Sequence, residues 1–179
     1  MKPTHLTLIC HARTEAQRIG RFHQGDDDIT GTVDIQKPAP ASNLLLTAPE
    51  LRTRRTADAL DWQSQVDDGL RDCDLGRWQG LTLKHLEEQQ PDALAQWLHD
   101  PHAKSHGGES VAELCERVAR WMDAAVTPGR CQAVTHPMVI RAALIHVLGC
   151  PLEAFHHIDV QPLSSVQFSH YGRWRFSTG

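Results

Sequence analysis

The chain has 179 residues, 40 % hydrophobic and 22 % charged, with 18 Lys and Arg against 22 Asp and Glu for a formal net charge of −4. That length suits one domain over 1–179, and that composition excludes a disordered chain. The negative balance argues against a general nucleic-acid or anionic-membrane binder, since neither polyanion is attracted at long range, but a local cluster of cations could still hold a small anion.

Residues 4–10 (THLTLIC) are short, apolar and β-rich, the pattern of a buried parallel strand. Thr14 stands three residues before Gln17, a capping-box spacing that opens a short helix. The stretch 20–42, with its acidic run Asp26–Asp28 and prolines at 38 and 40, reads as loop. Residues 43–47 (NLLLT) read as a second core strand, and Pro49 opens a helix running to about Leu60. Further helices are expected near 82–89, 92–99 and 110–126, the last behind the turn Gly107–Gly108 and capped by Ser110 with Glu113. Residues 131–135 (CQAVT) read as a third core strand, 138–148 (MVIRAALIHVL) as a buried helix closed by Gly149, and 163–177 as a hairpin around Gly172. Strands alternating with helices imply an α/β fold, a three-layer α/β/α sandwich with a mainly parallel sheet.

In such sheets functional groups collect beyond the carboxyl ends of the strands. Cys10, His11, Ala12, Arg13 and Thr14 follow the first strand; Arg52, Arg54 and Arg55 lie on the helix after the second; His136 follows the third. Two histidines and an arginine thus meet from three distant segments. This set suits phosphoryl transfer. A neutral imidazole nitrogen can attack phosphorus. A guanidinium offers a planar fork to phosphoryl oxygens, and a carboxylic acid can give the leaving alcohol its proton.

The motifs resemble those of the histidine phosphatase superfamily, the phosphoglycerate mutase-like group. C-H-A-R-T at 10–14 is similar to the family's R-H-G-x-T, and A-P-E-L-R-T-R-R-T-A at 48–57 to S-P-x-x-R-x-x-x-T-A. L-R-D-C-D-L-G-R-W-Q-G at 70–80 resembles L-x-E-x-x-x-G-x-W-x-G. G-G-E-S stands at 107–110, T-H-P-M-V-I-R at 135–141 resembles [ST]-H-x-x-x-[IV]-R, and G-R-W-R-F at 172–176 resembles the family's last strand. The resemblance implies that His11 is the phospho-accepting nucleophile, Arg52 a phosphate-binding arginine and His136 the second pocket histidine. Asp72 falls at the general acid, and Thr14, Gln17 and Arg13 at the pocket edge. It implies a small phosphorylated metabolite as substrate, as in the branch containing the α-ribazole phosphatases, with no cofactor and no metal.

Four positions depart from the pattern. Cys10 replaces the first phosphate-binding arginine, Ala12 the glycine, Asp72 a glutamate and Gln17 the commoner asparagine. Losing one charged donor costs about 2–4 kcal/mol of transition-state stabilisation, so Arg13, Arg18 or Arg55 is expected to reach in. Cys10 and Asp72 also support a second reading, a degenerate member that binds a phosphorylated ligand with little turnover. A cysteine-nucleophile loop would want an arginine at position 16, where Ala16 stands, so Cys10 is read as a buried free thiol. Trp78 is expected to pack and anchor the loop carrying Asp72.

Cys10, Cys73, Cys115, Cys131 and Cys150 are scattered, odd in number and form no C-x-x-C pair, which indicates reduced thiols rather than disulfides or a zinc ribbon. His156 and His157, with His5, His85, His99, His102, His106, His146 and His170, are read as surface or structural rather than as metal ligands. A mixed run follows Lys2 instead of a long apolar core, and no apolar stretch approaches the ~20 residues of a membrane span. A cytoplasmic protein is the expectation.

Overall fold

The computed structural model describes residues 3–33, 44–125 and 128–177. In chain order these form β1 (Thr4–Cys10), α1 (Glu15–Arg18), β2 (Leu44–Thr47), α2 (Leu51–Ala59), β3 (Gln65–Val66), α3 (Leu83–Gln89) and α4 (Pro91–His99). Then come α5 (Val111–Ala124), β4 (Gly129–Thr135), α6 (Pro137–Leu148), β5 (Ser165–His170) and β6 (Trp174–Ser177), with 3-10 turns at Asp68–Leu70, Gly76–Trp78 and Leu152–His157. Residues 34–42 of the expected loop, Asn43 of the second strand and residue 126 of the expected 110–126 helix lie outside the described residues.

The six strands make one sheet in the order β3-β2-β4-β1-β5-β6. β1, β2, β3 and β4 pair in parallel, while β5 runs antiparallel to both β1 and β6. Five of these strands therefore point one way and only β5 opposes them. Side chains alternate across each strand. Leu6, Leu8 and Cys10 of β1 join Leu46, Ala133 and Phe168 in the main core, together with Leu114 and Val118 of α5 and Ile140 and Ala143 of α6. On the opposite face Val134 packs with Ala57 and Leu60 of and beside α2. Helices cover both faces, as expected of the sandwich.

Local chemistry fixes the helix ends. Both reciprocal bonds of the capping box form at α1, between Thr14 and Gln17, and at α5, between Ser110 and Glu113. Pro137 starts α6, where its missing N–H costs nothing, and Gly149 ends it with φ 64°, a left-handed conformation natural to glycine. The register places the ends of three strands at one level. Cys10 lies opposite Thr135 and Thr47 opposite Val134, with His11 N–H donating to Thr135 O at 2.9 Å and Ala48 N–H to Val134 O at 3.0 Å. The segments leaving β1, β2 and β4 therefore open onto the same edge.

Candidate active site

His11 is the first residue beyond β1 and is fully buried. Its Nδ1–H donates to the carbonyl of Ala12 at 2.7 Å, leaving Nε2 with a lone pair and no partner. Burial drives the His11 pKa well below the ordinary histidine value, and the charges of His136 and Arg52 push the same way. The imidazole is neutral and held in one tautomer, the state a nitrogen nucleophile needs. The rings of His23 and His136 meet it edge-on, with centroids 5.3 and 5.4 Å away. The Ala12 N–H is bonded by Thr56 Oγ1 at 2.9 Å, and that hydroxyl donates to Arg52 O at 2.7 Å. One hydroxyl thus ties the nucleophile's loop to α2.

Arg52, on the first turn of α2, is 1 % exposed. One terminal nitrogen donates to Gln24 O at 2.9 Å and the other to Asp72 Oδ2 at 2.6 Å, while Nε has no partner. Asp72 sits in the loop after the 68–70 turn. Its Oδ1 accepts from Cys73 N–H at 2.9 Å, and His136 Nδ1 stands 3.4 Å from Oδ2. Burial alone would raise the Asp72 pKa, but His136 and Arg52 outweigh it and hold the carboxyl well below its usual range. The loop is fixed from behind. Arg117 pairs with Glu109 at 2.7 Å and donates to the carbonyls of Gly69, Arg71 and Asp72, and Thr135 Oγ1 donates to Leu70 O. Trp78 is fully buried and donates to Gln90 Oε1 at 3.2 Å, the anchoring role expected of it.

Two residues that the sequence reading passed over belong to this site. Glu50, the residue before α2, accepts from His136 Nε2–H at 2.7 Å through Oε2 and from Asp72 N–H at 2.9 Å through Oε1. Burial opposes its ionisation, yet the bonds and charge of His136 leave its pKa below the usual value. His23, whose pKa burial lowers to about 4 with Arg52 adding to the effect, bonds Thr14 Oγ1 at 2.8 Å. Glu50 hides in the sequence as an ordinary acid at a helix start; His23 hides in a loop without periodicity.

A cavity of about 240 Å³ opens here, lined by His23, Gln24, Glu50, Arg52, Arg71 and Asp72 together with Phe22, Leu75, Gln79 and Met138. His11 and His136 do not line it, but His11 meets the ring of the lining His23 and His136 bonds the lining Glu50. His11, Arg52, Asp72 and His136 are thus brought together. Thr14 reaches the site through His23, and Gln17 serves the helix cap by accepting from Thr14 N–H. Arg13 is not brought in: it is exposed, and among the described residues only its carbonyl is engaged, by Thr30. Arg18 pairs with Glu15 on the surface, and Arg55 stands 3.7 Å from Asp28, its side chain 55 % exposed. The expected substitute guanidinium therefore does not come from these three, because each lies on a side facing water. Cys10 is buried in the core, and burial, with the Asp72 charge, pushes its thiol up to about 12. Arg52 and Arg141 are the cations whose fields oppose that rise. Among the described residues no group of three or more His, Cys, Asp or Glu could hold a metal ion, and no helix is long and apolar enough to cross a membrane.

Among curated proteins, a bifunctional protein of Mycobacterium tuberculosis is 27 % identical over 184 residues, covering 93 % of this chain and 50 % of its own length. The glucosyl-3-phosphoglycerate phosphatase of Mycolicibacterium vanbaalenii is 31 % identical over 129 residues, 65 % of this chain and 57 % of that protein. The chain thus spans about half the length of the curated relatives it matches. Among solved structures, a mycobacterial glucosyl-3-phosphoglycerate phosphatase bound to VO3 superposes with a TM-score of 0.81 at 25 % identity, covering 97 % of this chain and 96 % of that one. A phosphoserine phosphatase mutant of Entamoeba histolytica in complex with phosphoserine gives 0.82 at 17 % identity over 98 % and 95 %, a likeness of fold. The family model described as the histidine phosphatase superfamily (branch 1) matches residues 35–177. The chain belongs to the histidine phosphatase superfamily.

Proposed function

We propose that this chain hydrolyses phosphomonoesters of small metabolites through a phosphohistidine intermediate at His11. One observation carries the reading: three buried nitrogens of the same site, His11 Nε2, Arg52 Nε and His136 Nδ1, have no hydrogen-bond partner among the described residues. Buried polar atoms are rarely left so. Here one is a lone pair and another a guanidinium N–H, the nucleophile and donor that a phosphoryl group requires. Membership of the family and the phosphatase named at 31 % identity support the same chemistry.

In the proposed reaction His11 Nε2 forms the bond to phosphorus as the ester P–O bond breaks and the leaving oxygen takes a proton from a carboxylic acid. Water then attacks phosphorus, gives a proton back to that carboxylate, and the N–P bond breaks to release phosphate and neutral His11. Arg52 and His136 hold the equatorial oxygens throughout. No cofactor or metal enters the scheme, and the cavity of about 240 Å³ would admit a compact phosphate ester.

The second reading, ligand binding without turnover, draws on Cys10 and on the surface positions of Arg13, Arg18 and Arg55. A phosphomonoester panel with phosphate release as the readout decides between the two. The wild type should turn over with EDTA present, acid-labile phosphate should be trapped on the protein, and His11→Ala should lower kcat at least a thousandfold. Tight binding of phosphorylated ligands with no release above the His11→Ala background would establish the second reading instead.

A further inference from the structure

We infer that Glu50, rather than Asp72, is the carboxyl group that exchanges the proton with the leaving oxygen; the inference rests on the phosphatase reading above. Asp72 stands where the resemblance places the acid, but both of its oxygens are taken. Oδ2 is bonded by the Arg52 guanidinium at 2.6 Å and Oδ1 by the Cys73 N–H at 2.9 Å. A carboxylate that neutralises a buried arginine would strand that charge if it took up a proton. Asp72 is also one methylene shorter than a glutamate in its place.

Both oxygens of Glu50 also accept hydrogen bonds, from His136 and from the Asp72 N–H, but neither neutralises a buried guanidinium. Glu50 lines the cavity, its side chain is 16 % exposed, and among the described residues no arginine or lysine is bonded to it. It is nevertheless adjacent to Asp72, because its Oε1 holds the Asp72 N–H at 2.9 Å. The longer side chain, from the residue before α2, therefore brings a second carboxyl group beside Asp72.

The bond from His136 Nε2–H to Glu50 Oε2, at 2.7 Å, explains how the group becomes an acid at the right moment. In the ligand-free site this bond stabilises the Glu50 carboxylate. A phosphoryl group facing His11 competes for the same N–H and brings negative charge beside the carboxylate. Both changes favour protonation of Glu50; the charged and titratable groups that bear on it are His136 and Asp72, with Arg52 and His23 lining the same cavity. Its proton then passes to the leaving oxygen as the P–O bond breaks and the His11 Nε2–P bond forms. In the second half-reaction the carboxylate accepts the proton of the attacking water as the N–P bond breaks. Proton and phosphoryl group balance over the cycle.

The test is the dependence of kcat/KM on the leaving group across substituted phenyl phosphates, from p-nitrophenyl, whose phenolate leaves without a proton, to unsubstituted phenyl. In Glu50→Gln the loss should grow along the series, from a few-fold on p-nitrophenyl phosphate to about a hundredfold on phenyl phosphate. In Asp72→Asn, which disturbs Arg52, the loss should be the same at both ends. The ratio between substrates is taken within one sample, so a smaller folded fraction cancels. A Glu50→Gln series parallel to wild type, or one in which Asp72→Asn steepens instead, would overturn the assignment of Glu50 and leave the phosphatase reading standing. Wild-type hydrolysis no greater than that of His11→Ala on every ester would overturn both.

Discussion

Cys10 and His11 are consecutive, yet their surroundings assign them opposite chemistry. The thiol is closed in the core, and burial pushes it up to about 12, so almost none is thiolate at neutral pH. The imidazole next to it is kept neutral with its lone pair free. Native protein treated with a maleimide at pH 7.5 should therefore label at the half-exposed Cys150 first, while Cys10 and Cys73 should react only after denaturation. Phosphatase activity should survive that labelling. Rapid modification of Cys10 with parallel loss of activity would put the nucleophile on sulfur. At this scale His11, Arg52, Asp72 and His136 were legible because each lies in a motif at a strand or helix end. Glu50 was not, since an acid beside a helix start has an everyday electrostatic reason to be there. The surface course of Arg13, Arg18 and Arg55 was also hidden, because the sequence shows which segment borders the pocket but not which way a side chain turns.

The loops after α2 carry as much of the site as the regular elements do. Gly76 and Gly108 let the 72–80 loop and the G-G-E-S turn touch backbone to backbone: a Cβ at Gly108 would lie 2.0 Å from Asp74 O and 2.8 Å from Gly76 N. No side chain can move aside to relieve that contact. Gly108→Ala should lower stability by about 3 kcal/mol, read as a shift in the urea midpoint, and should weaken catalysis through the displaced Asp72 loop. A variant as stable as wild type would show that the two loops are free to part. The glycines were visible as a motif, but their steric reason appears only once 108 stands against 74. Strands β1 and β4 and helix α5 were legible from apolar runs and a capping box. Strand β3 was not: its two residues, Gln65 and Val66, are both exposed and offer no periodicity. The 3-10 turns at 68–70 and 76–78 are likewise too short to carry a pattern.

Over the whole molecule, buried and half-buried histidines set the response to acid. His11, His23, His106 and His156 all have lowered pKa values, with burial the first cause of each. In the unfolded chain they protonate near 6.5, whereas the folded protein resists until lower pH, about 4 for His23. Between those values the unfolded state holds more protons, so stability is complete above about 6.5 and falls as pH drops. Asp72 and Glu50 lose their contributions at still lower pH, since their folded pKa values lie below the unfolded ones. Urea midpoints should therefore fall steadily from pH 7.5 to 5, with each wholly buried histidine contributing up to about 1.4 kcal/mol per pH unit. A midpoint that is flat or rising over that range would contradict the burial of these rings. The pairing of β1 has a further consequence, for a chain still on the ribosome. Its ladder partners begin at Gly129 and Ser165, so one of the two central strands is the first of the six to be made and waits for both neighbours. At ~5–20 residues per second, roughly 6–24 s pass between the synthesis of Cys10 and that of Gly129. During that wait β1 is an unpaired edge exposed to other nascent chains. Chains stalled on the ribosome before β4 emerges should therefore aggregate more readily on release than chains stalled after β5.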